Sequence, residues 1–153
     1  LPSTGHATVA DVLSAAQARW HGPLAAHNRP LRALADDTVP THVRISTASA
    51  AQILDVLIGN ALTHGRGAVS LHARNAGHIV AFDVSDEGPT LSLESHQLFR
   101  TRRDPSNSNS NGIGLPYARK LAEAEGARLV LNRPQPPTFS LVVSAENPGC
   151  RTR

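Results

Sequence analysis

The chain has 153 residues, a formal charge of +3 and only 3% aromatic residues, so one domain is expected, with a core built from aliphatic side chains and alanine. Lys120 is its only lysine, and the arginines are scattered apart from the cluster Arg100, Arg102 and Arg103. There is no basic stripe with interleaved aromatics, so nucleic-acid binding has no footprint. Cys150 stands alone and cannot close an internal disulfide, and no apolar run is long enough to span a bilayer or to serve as a signal peptide. The chain starts at Leu1 and contains no methionine, which reads as a piece of something longer.

Leu1 to Gly5 reads as a frayed lead-in. Val9, Val12, Leu13 and Ala16 recur at helical spacing and predict a helix from about Val9 to Trp20. His21-Gly22-Pro23 should stop it, with a further turn through Leu24 to His27. Leu31–Leu34 and His42–Ser46 read as short strands around the Asp36-Asp37 turn and Pro40. Next comes AQILDVLIGNALTHG, Ala51 to Gly65, a helix that Thr47 or Ser49 should cap. Ile53, Val56, Leu57, Asn60, Ala61 and His64 share one face of it. Asn60 interrupts that apolar stripe, and a buried carboxamide needs a partner, either a backbone group or a ligand.

Ala68–Arg74 and His78–Asp86 alternate, with Asn75-Ala76-Gly77 between them, and predict a hairpin. Leu91 to Asn111 ends in SNSNSN, too polar to order itself through burial, and reads as a mobile loop. Gly112 to Glu125 should be a helix, with Pro116 in its first turn and Gly126 at its stop. Arg128–Asn132 and Thr138–Ser144 read as strands joined by Pro134-Gln135-Pro136-Pro137, and the tail from Glu146 as disordered. The order implies an α/β two-layer sandwich: a mixed, mostly antiparallel sheet of about five strands, covered on one face by three helices. One domain is expected over residues 1–146, with a tail at 147–153.

Three local features suggest binding chemistry. Asn60 is the first. Asp86 ends a strand with the parity of Val80, Phe82 and Val84, so its carboxylate faces the helices and can accept from an exocyclic amine, while Gly88 permits a close approach. Gly112-Ile113-Gly114 opens a helix whose N-terminal N–H groups and dipole suit phosphate. It is neither a Walker A loop nor a dinucleotide fingerprint, since Tyr117 stands at the third glycine position.

In this order the segments resemble the ATP-binding catalytic domain of sensor histidine kinases, within the GHKL ATPase superfamily. LIGNALTHG is similar to the N box, VSDEGP to the G1 box, QLFRTRRD to the F box, and NGIGLPYARKLAEAEGARLVL to the G2 box with its helix and strand. PPTFSLVV resembles the closing strand, with Thr138 at the family's nucleotide-pocket threonine. The resemblance implies a Bergerat-type fold and the cofactors ATP and Mg²⁺. It implies that Asn60 ligates Mg²⁺, that Asp86 and Gly88 take the adenine, and that Gly112, Ile113, Gly114 and Leu115 line the phosphate end. His64 falls beside the nucleotide, and Leu91–Asn111 forms a lid with Arg102 and Arg103 available to phosphate oxygens. The phosphoryl group would pass to a His on a separate dimerisation domain that this chain lacks, as none of its eight histidines lies in an acceptor box. The chain alone should then not autophosphorylate. It should be a monomer, the cytoplasmic part of a parent that is a membrane-bound homodimer and serves a response regulator.

There are departures from the family pattern. Val56 stands where relatives that hydrolyse ATP carry a Glu base, Thr63 where a basic residue is common, and Thr90 and Ser110 where glycines are usual. Two alternatives follow: an anti-sigma-factor-type serine kinase of the same superfamily, or a degenerate nucleotide-binding or protein-docking module without kinase activity.

Overall fold

The computed structural model describes residues 5–89 and 114–146. The expected lid at 91–111 and the tail at 147–153 lie outside them.

α1 (Val9–Ala25) is N-capped by Thr8, whose hydroxyl accepts from Asp11 N at 3.0 Å. It does not stop at Trp20. It runs through Pro23, because Leu24 is fully buried and holds the last turn against the core. It closes on Asn28, a non-glycine residue in the left-handed region (φ 57°). There Arg29 N donates to Leu24 O at 3.0 Å and Asn28 N to Ala25 O at 2.9 Å, the paired bonds of a Schellman motif.

α2 (Thr47–His64) is capped by Ser46, whose hydroxyl accepts from Ser49 N at 3.1 Å. Neither Thr47 nor Ser49 fills that role. The expected strand ending at Ser46 is correspondingly short, since its end is taken up by the cap. Ile53, Leu54, Leu57, Ile58 and Ala61 are buried, whereas Val56 and Asn60 are half-buried and His64 is exposed. The core-facing stripe is thus centred on 54, 57, 58 and 61, and Asn60 lies on its flank rather than within it. α3 (Gly114–Ala124) presents Ala118 and Ala122, both fully buried, so the helix sits close to its neighbours.

The strands are β1 (Ala7–Thr8), β2 (Leu31–Ala35), β3 (His42–Val43), β4 (Val69–Asn75), β5 (Ile79–Ser85), β6 (Arg128–Pro134) and β7 (Pro137–Glu146). They form one seven-stranded sheet in the order β1-β3-β7-β5-β4-β2, with β6 also on β7. Only β2 with β4 is parallel; the other pairs are antiparallel. The sheet thus has seven strands where about five were expected; β3 is the shortened form of the strand expected at His42–Ser46, and the two-residue β1 is the strand that was not anticipated. Leu71 pairs Val84, Ala73 pairs Phe82, and Phe82 pairs Leu141, which sets one layer of apolar side chains facing the helices. The fold is the α/β sandwich read from the sequence, with a longer and more curled sheet.

The β2 edge is tied in by Asp36. Its carboxylate lies 2.7 Å from His72 Nε2 and accepts Asn75 N at 3.0 Å. The Asn75 amide first, and His72 second, hold this carboxyl below the ordinary value of 3.8. A carboxyl depressed in the folded state stabilises the fold above its unfolded pKa, and that contribution is lost as pH falls through the folded pKa. Wild type is therefore expected to exceed Asp36→Asn in urea midpoint at pH 6, the gap closing as the pH drops below 3.8. A gap unchanged at pH 3 would show that the carboxylate charge does not anchor this edge.

Candidate functional site

The site forms where α2 ends. Gly65 leaves the helix in extended backbone (φ −94°, ψ −171°), its N–H still bonded to Ala61 O at 2.9 Å. Any residue could adopt that conformation, but only glycine has the room. A Cβ at Gly65 would lie 2.4 Å from both Cγ and Oδ2 of Asp86 and 2.7 Å from Ala61 O. The carboxylate of Asp86 thus occupies the space a side chain at Gly65 would need.

Segments 65–68 and 86–88 are stitched together. Glu87 N donates to Arg66 O at 2.8 Å, and Ala68 N donates to Glu87 Oε2 at 2.5 Å. Gly67 is in the left-handed region (φ 67°) and a Cβ there would meet the Glu87 carboxylate at 2.6 Å. Asp86 Oδ1 accepts from Gly88 N at 2.5 Å and from Arg66 N at 3.4 Å. Asp86 Oδ2 accepts from no described residue, so one carboxylate oxygen is fixed by backbone and the other can take a donor from a ligand. Gly88 is buried, and a Cβ on it would lie 2.6 Å from Asp86 Oδ1 and 3.3 Å from Gly65 Cα.

α3 brings in the second half of the site. A Cβ on its first residue, Gly114, would contact Val56 Cγ1 at 3.4 Å. Val56 is one helical turn before Asn60, which is one turn before His64. The opening of α3 is therefore set against the flank of α2 that carries Asn60. Leu115 packs on the core beside it, the Tyr117 hydroxyl donates to Gln52 Oε1 at 2.8 Å, and Ser46 N donates to Glu125 Oε1 at 2.9 Å. These contacts pin α3 to α2 along its length.

Asn60, Asp86, Gly88, Gly114 and Leu115 are thus gathered round the C-terminal half of α2, with exposed His64 at its end. Thr138 lies at the start of β7, beside the end of β5. It pairs with Ser85 and shares strand parity with Ser140, whose hydroxyl donates to Asp83 on the sheet face turned away from the helices. Its own hydroxyl donates to Pro136 O at 2.8 Å. Gly112, Ile113, Arg102 and Arg103 lie outside the described residues. Sequence reasoning passed over Gly65, Gly67 and Glu87, which look like ordinary turn residues until the two loops meet. It passed over Arg29 as well, which donates from Nε to Gly67 O at 2.8 Å and from Nη1 to Leu62 O at 3.1 Å.

Among the described residues no group of three His, Cys, Asp or Glu could hold a metal unaided. Asn60 is half-buried, and its carboxamide has no side-chain hydrogen bond to a described residue. A single hard amide oxygen of this kind suits an ion that arrives with most of its ligands, as Mg²⁺ does on a polyphosphate.

Residues 46–151 match the family described as histidine kinase-, DNA gyrase B-, and HSP90-like ATPase. The chain is 32% identical over 103 residues to the sensor protein PfeS of Pseudomonas aeruginosa, covering 64% of this chain and 23% of PfeS. It therefore spans less than a quarter of that relative's length. Its fold is similar to the catalytic domain of histidine kinase ThkA, with a TM-score of 0.79 at 18% identity over 94% of this chain and 96% of that one. It is also similar to full-length ShkA in complex with AMPPNP, with a TM-score of 0.75 at 20% identity over 94% of this chain and 31% of that one.

Gly65→Ala is expected to displace the Asp86 carboxylate and to crowd the backbone at Ala61 O. ATP affinity measured by calorimetry should fall about tenfold or more, equivalent to about 1.4 kcal/mol, with the far-ultraviolet circular dichroism of the fold retained. Unchanged affinity would mean that the Gly65–Asp86 contact does not set the site.

Proposed function

The chain belongs to the family of histidine kinase-, DNA gyrase B- and HSP90-like ATPases, and from that premise we propose that it is the ATP-binding catalytic domain of a bacterial two-component sensor histidine kinase. It would transfer the γ-phosphoryl group of ATP to a histidine on a separate dimerisation domain. One observation carries the reading: the stitched loops set Asp86 and Gly88 against the end of α2, while Gly114 of α3 lies against Val56, one turn before Asn60 on α2.

In this reading Asp86 uses its free Oδ2 to accept from the adenine amino group, with Oδ1 already fixed by Gly88 N and Arg66 N. Gly88 leaves space for the base to approach. The N-terminal end of α3, from Gly114, supplies N–H groups and a positive dipole end to phosphate oxygens. Asn60 would hold Mg²⁺ through its amide oxygen, and the ion would supply charge neutralisation at the phosphate end, with His64 one turn further along α2. Arg102 and Arg103 are proposed as further phosphate contacts.

Bound ATP supplies the phosphoryl group: its bond to the β,γ-bridging oxygen breaks, ADP leaves, and a bond forms to an imidazole nitrogen of the acceptor histidine. The work of this chain is orientation and charge neutralisation. Val56 cannot act as a general base, and it fills the place against Gly114 with an apolar wall. This supports transfer to a positioned nucleophile over hydrolysis. No described helix is long and apolar enough to cross a membrane. We propose that the fragment is a monomer, that the parent dimerises through the acceptor hairpin, and that a response regulator takes the phosphoryl group onward. Exposed Thr63, one turn from Gly59 on the last turns of α2, offers no cation to phosphate, which favours the docking-module alternative.

Calorimetric titration should give saturable ATP binding that Asp86→Asn sharply weakens and that Mg²⁺ strengthens in wild type but not in Asn60→Ala. With radiolabelled ATP the chain should not label itself but should label an acceptor helical hairpin supplied in trans. ATP binding without label on any such hairpin would leave the docking module as the better account.

A further inference from the structure

Arg29 lies outside every motif that carries the family resemblance, at the junction between α1 and β2. Its backbone is placed by the Schellman closure of α1, through Arg29 N to Leu24 O at 3.0 Å. From there its side chain crosses to the end of α2. Nη1 donates to Leu62 O, one of the last-turn carbonyls that lack an intrahelical partner, and Nε donates to Gly67 O. The next residue adds a third tie, since Pro30 O accepts from Val69 N at 2.9 Å. The third nitrogen, Nη2, is buried without a hydrogen-bond partner among the described residues. The guanidinium therefore owes its position to the two carbonyls it does hold.

Those two carbonyls lie on either side of Gly65. Between them runs the segment that donates Arg66 N to Asp86, accepts Glu87 N at Arg66 O, and donates Ala68 N to Glu87. The tolerance is small in both directions. If the segment moves toward Asp86, Gly65 collides with the carboxylate it already touches. If it moves away, Asp86 Oδ1 loses Arg66 N, and Glu87 loses both its ties. A planar fork with two diverging donors can hold both carbonyls at once, and its charge suits the negative end of the α2 dipole. We infer that Arg29 is a positioning residue for the base end of the nucleotide site, clamping segment 62–67 so that Asp86 Oδ2 is presented to the base. The inference rests on the nucleotide-binding reading above.

A role confined to capping α2 and a role in presenting Asp86 predict different results. ATP and inosine triphosphate differ where Asp86 would act, since the 6-amino group is replaced by a carbonyl. Calorimetry on the whole chain, with Mg²⁺, would compare the two nucleotides for wild type, Asp86→Asn, Arg29→Gln and Arg29→Lys, each with its thermal midpoint. Wild type should prefer ATP, and Asp86→Asn should erase the preference. Arg29→Gln should cut the preference by about fivefold or more, mostly through weaker ATP binding. Arg29→Lys keeps the charge but is a point donor, so it should recover thermal stability more fully than preference. Equal weakening of both nucleotides in Arg29→Gln would reduce Arg29 to a helix cap and overturn the inference while leaving the nucleotide reading intact. A wild type without preference, unaffected by Asp86→Asn, would overturn the reading and the inference together. Should Arg29→Gln not fold, Arg29→Lys decides alone, and a preference equal to wild type would overturn the inference.

Discussion

The contact between Gly65 and Asp86 is the constraint on which the rest of the site depends. A carboxylate lies where a Cβ would be, so the end of β5 and the end of α2 approach more closely than any other residue at position 65 would allow. The approach has a chemical consequence. Asp86 Oδ1 is taken by two backbone N–H groups, which fixes the carboxyl plane, and Oδ2 takes no donor among the described residues. A carboxylate held on one side only selects for partners that can donate, and it does so without a further side chain. Gly88 repeats the same economy of space on the other side, where its missing side chain avoids both Asp86 and Gly65.

α2 carries this arrangement because both its ends are held by other elements. At its start, Ser46 N donates to the Glu125 carboxylate from the end of α3; at its finish, Leu62 O accepts from the Arg29 guanidinium. Each charge matches the sign that the helix dipole favours, worth roughly 0.3–1 kcal/mol near a surface. The larger effect is geometric. A helix fixed at both termini, with Leu57 and Ile58 buried beneath it, cannot rotate about its axis, so Asn60 keeps its place on the flank facing the opening of α3. Trp20 contributes from the other side. Its indole N–H donates to Asp55 at 2.8 Å, and its ring lies against Gly59, where a Cβ would be 3.5 Å away.

Period-two alternation with one buried face made β4 and β5 legible, and the parity of Asp86 with Val80, Phe82 and Val84 was read correctly from it. The same rule applied to β7 shows what sequence lacks. Thr138 could be placed on a strand, but its face depends on the register with β5, where it pairs with Ser85. The strand β1 was illegible as such because two residues carry no period, and β3 read longer than it is because the cap of α2 takes up the end at Ser46. The run through Pro23 was missed because local signals favour a stop there, while the burial of Leu24 that overrides them is tertiary. Gly65 and Arg29 were missed for a related reason. Their importance lies in what sits opposite them, Asp86 in one case and two carbonyls across 33 and 38 residues in the other.

Val56 shows how packing and chemistry meet in one residue. A general base on that turn would need a carboxylate with room for a water beside Asn60. The structure instead places a valine methyl in contact range of Gly114, closing α3 onto α2 with an apolar surface. That closure helps bring the positive end of the α3 dipole near Asn60, while removing any group at Val56 that could activate water. In the proposed reaction a site of this kind aligns and neutralises a polyphosphate, and the nucleophile comes from elsewhere. The same substitution that argues against a hydrolase therefore favours a domain that works on a partner, and the partner's imidazole is the group the proposed reaction requires.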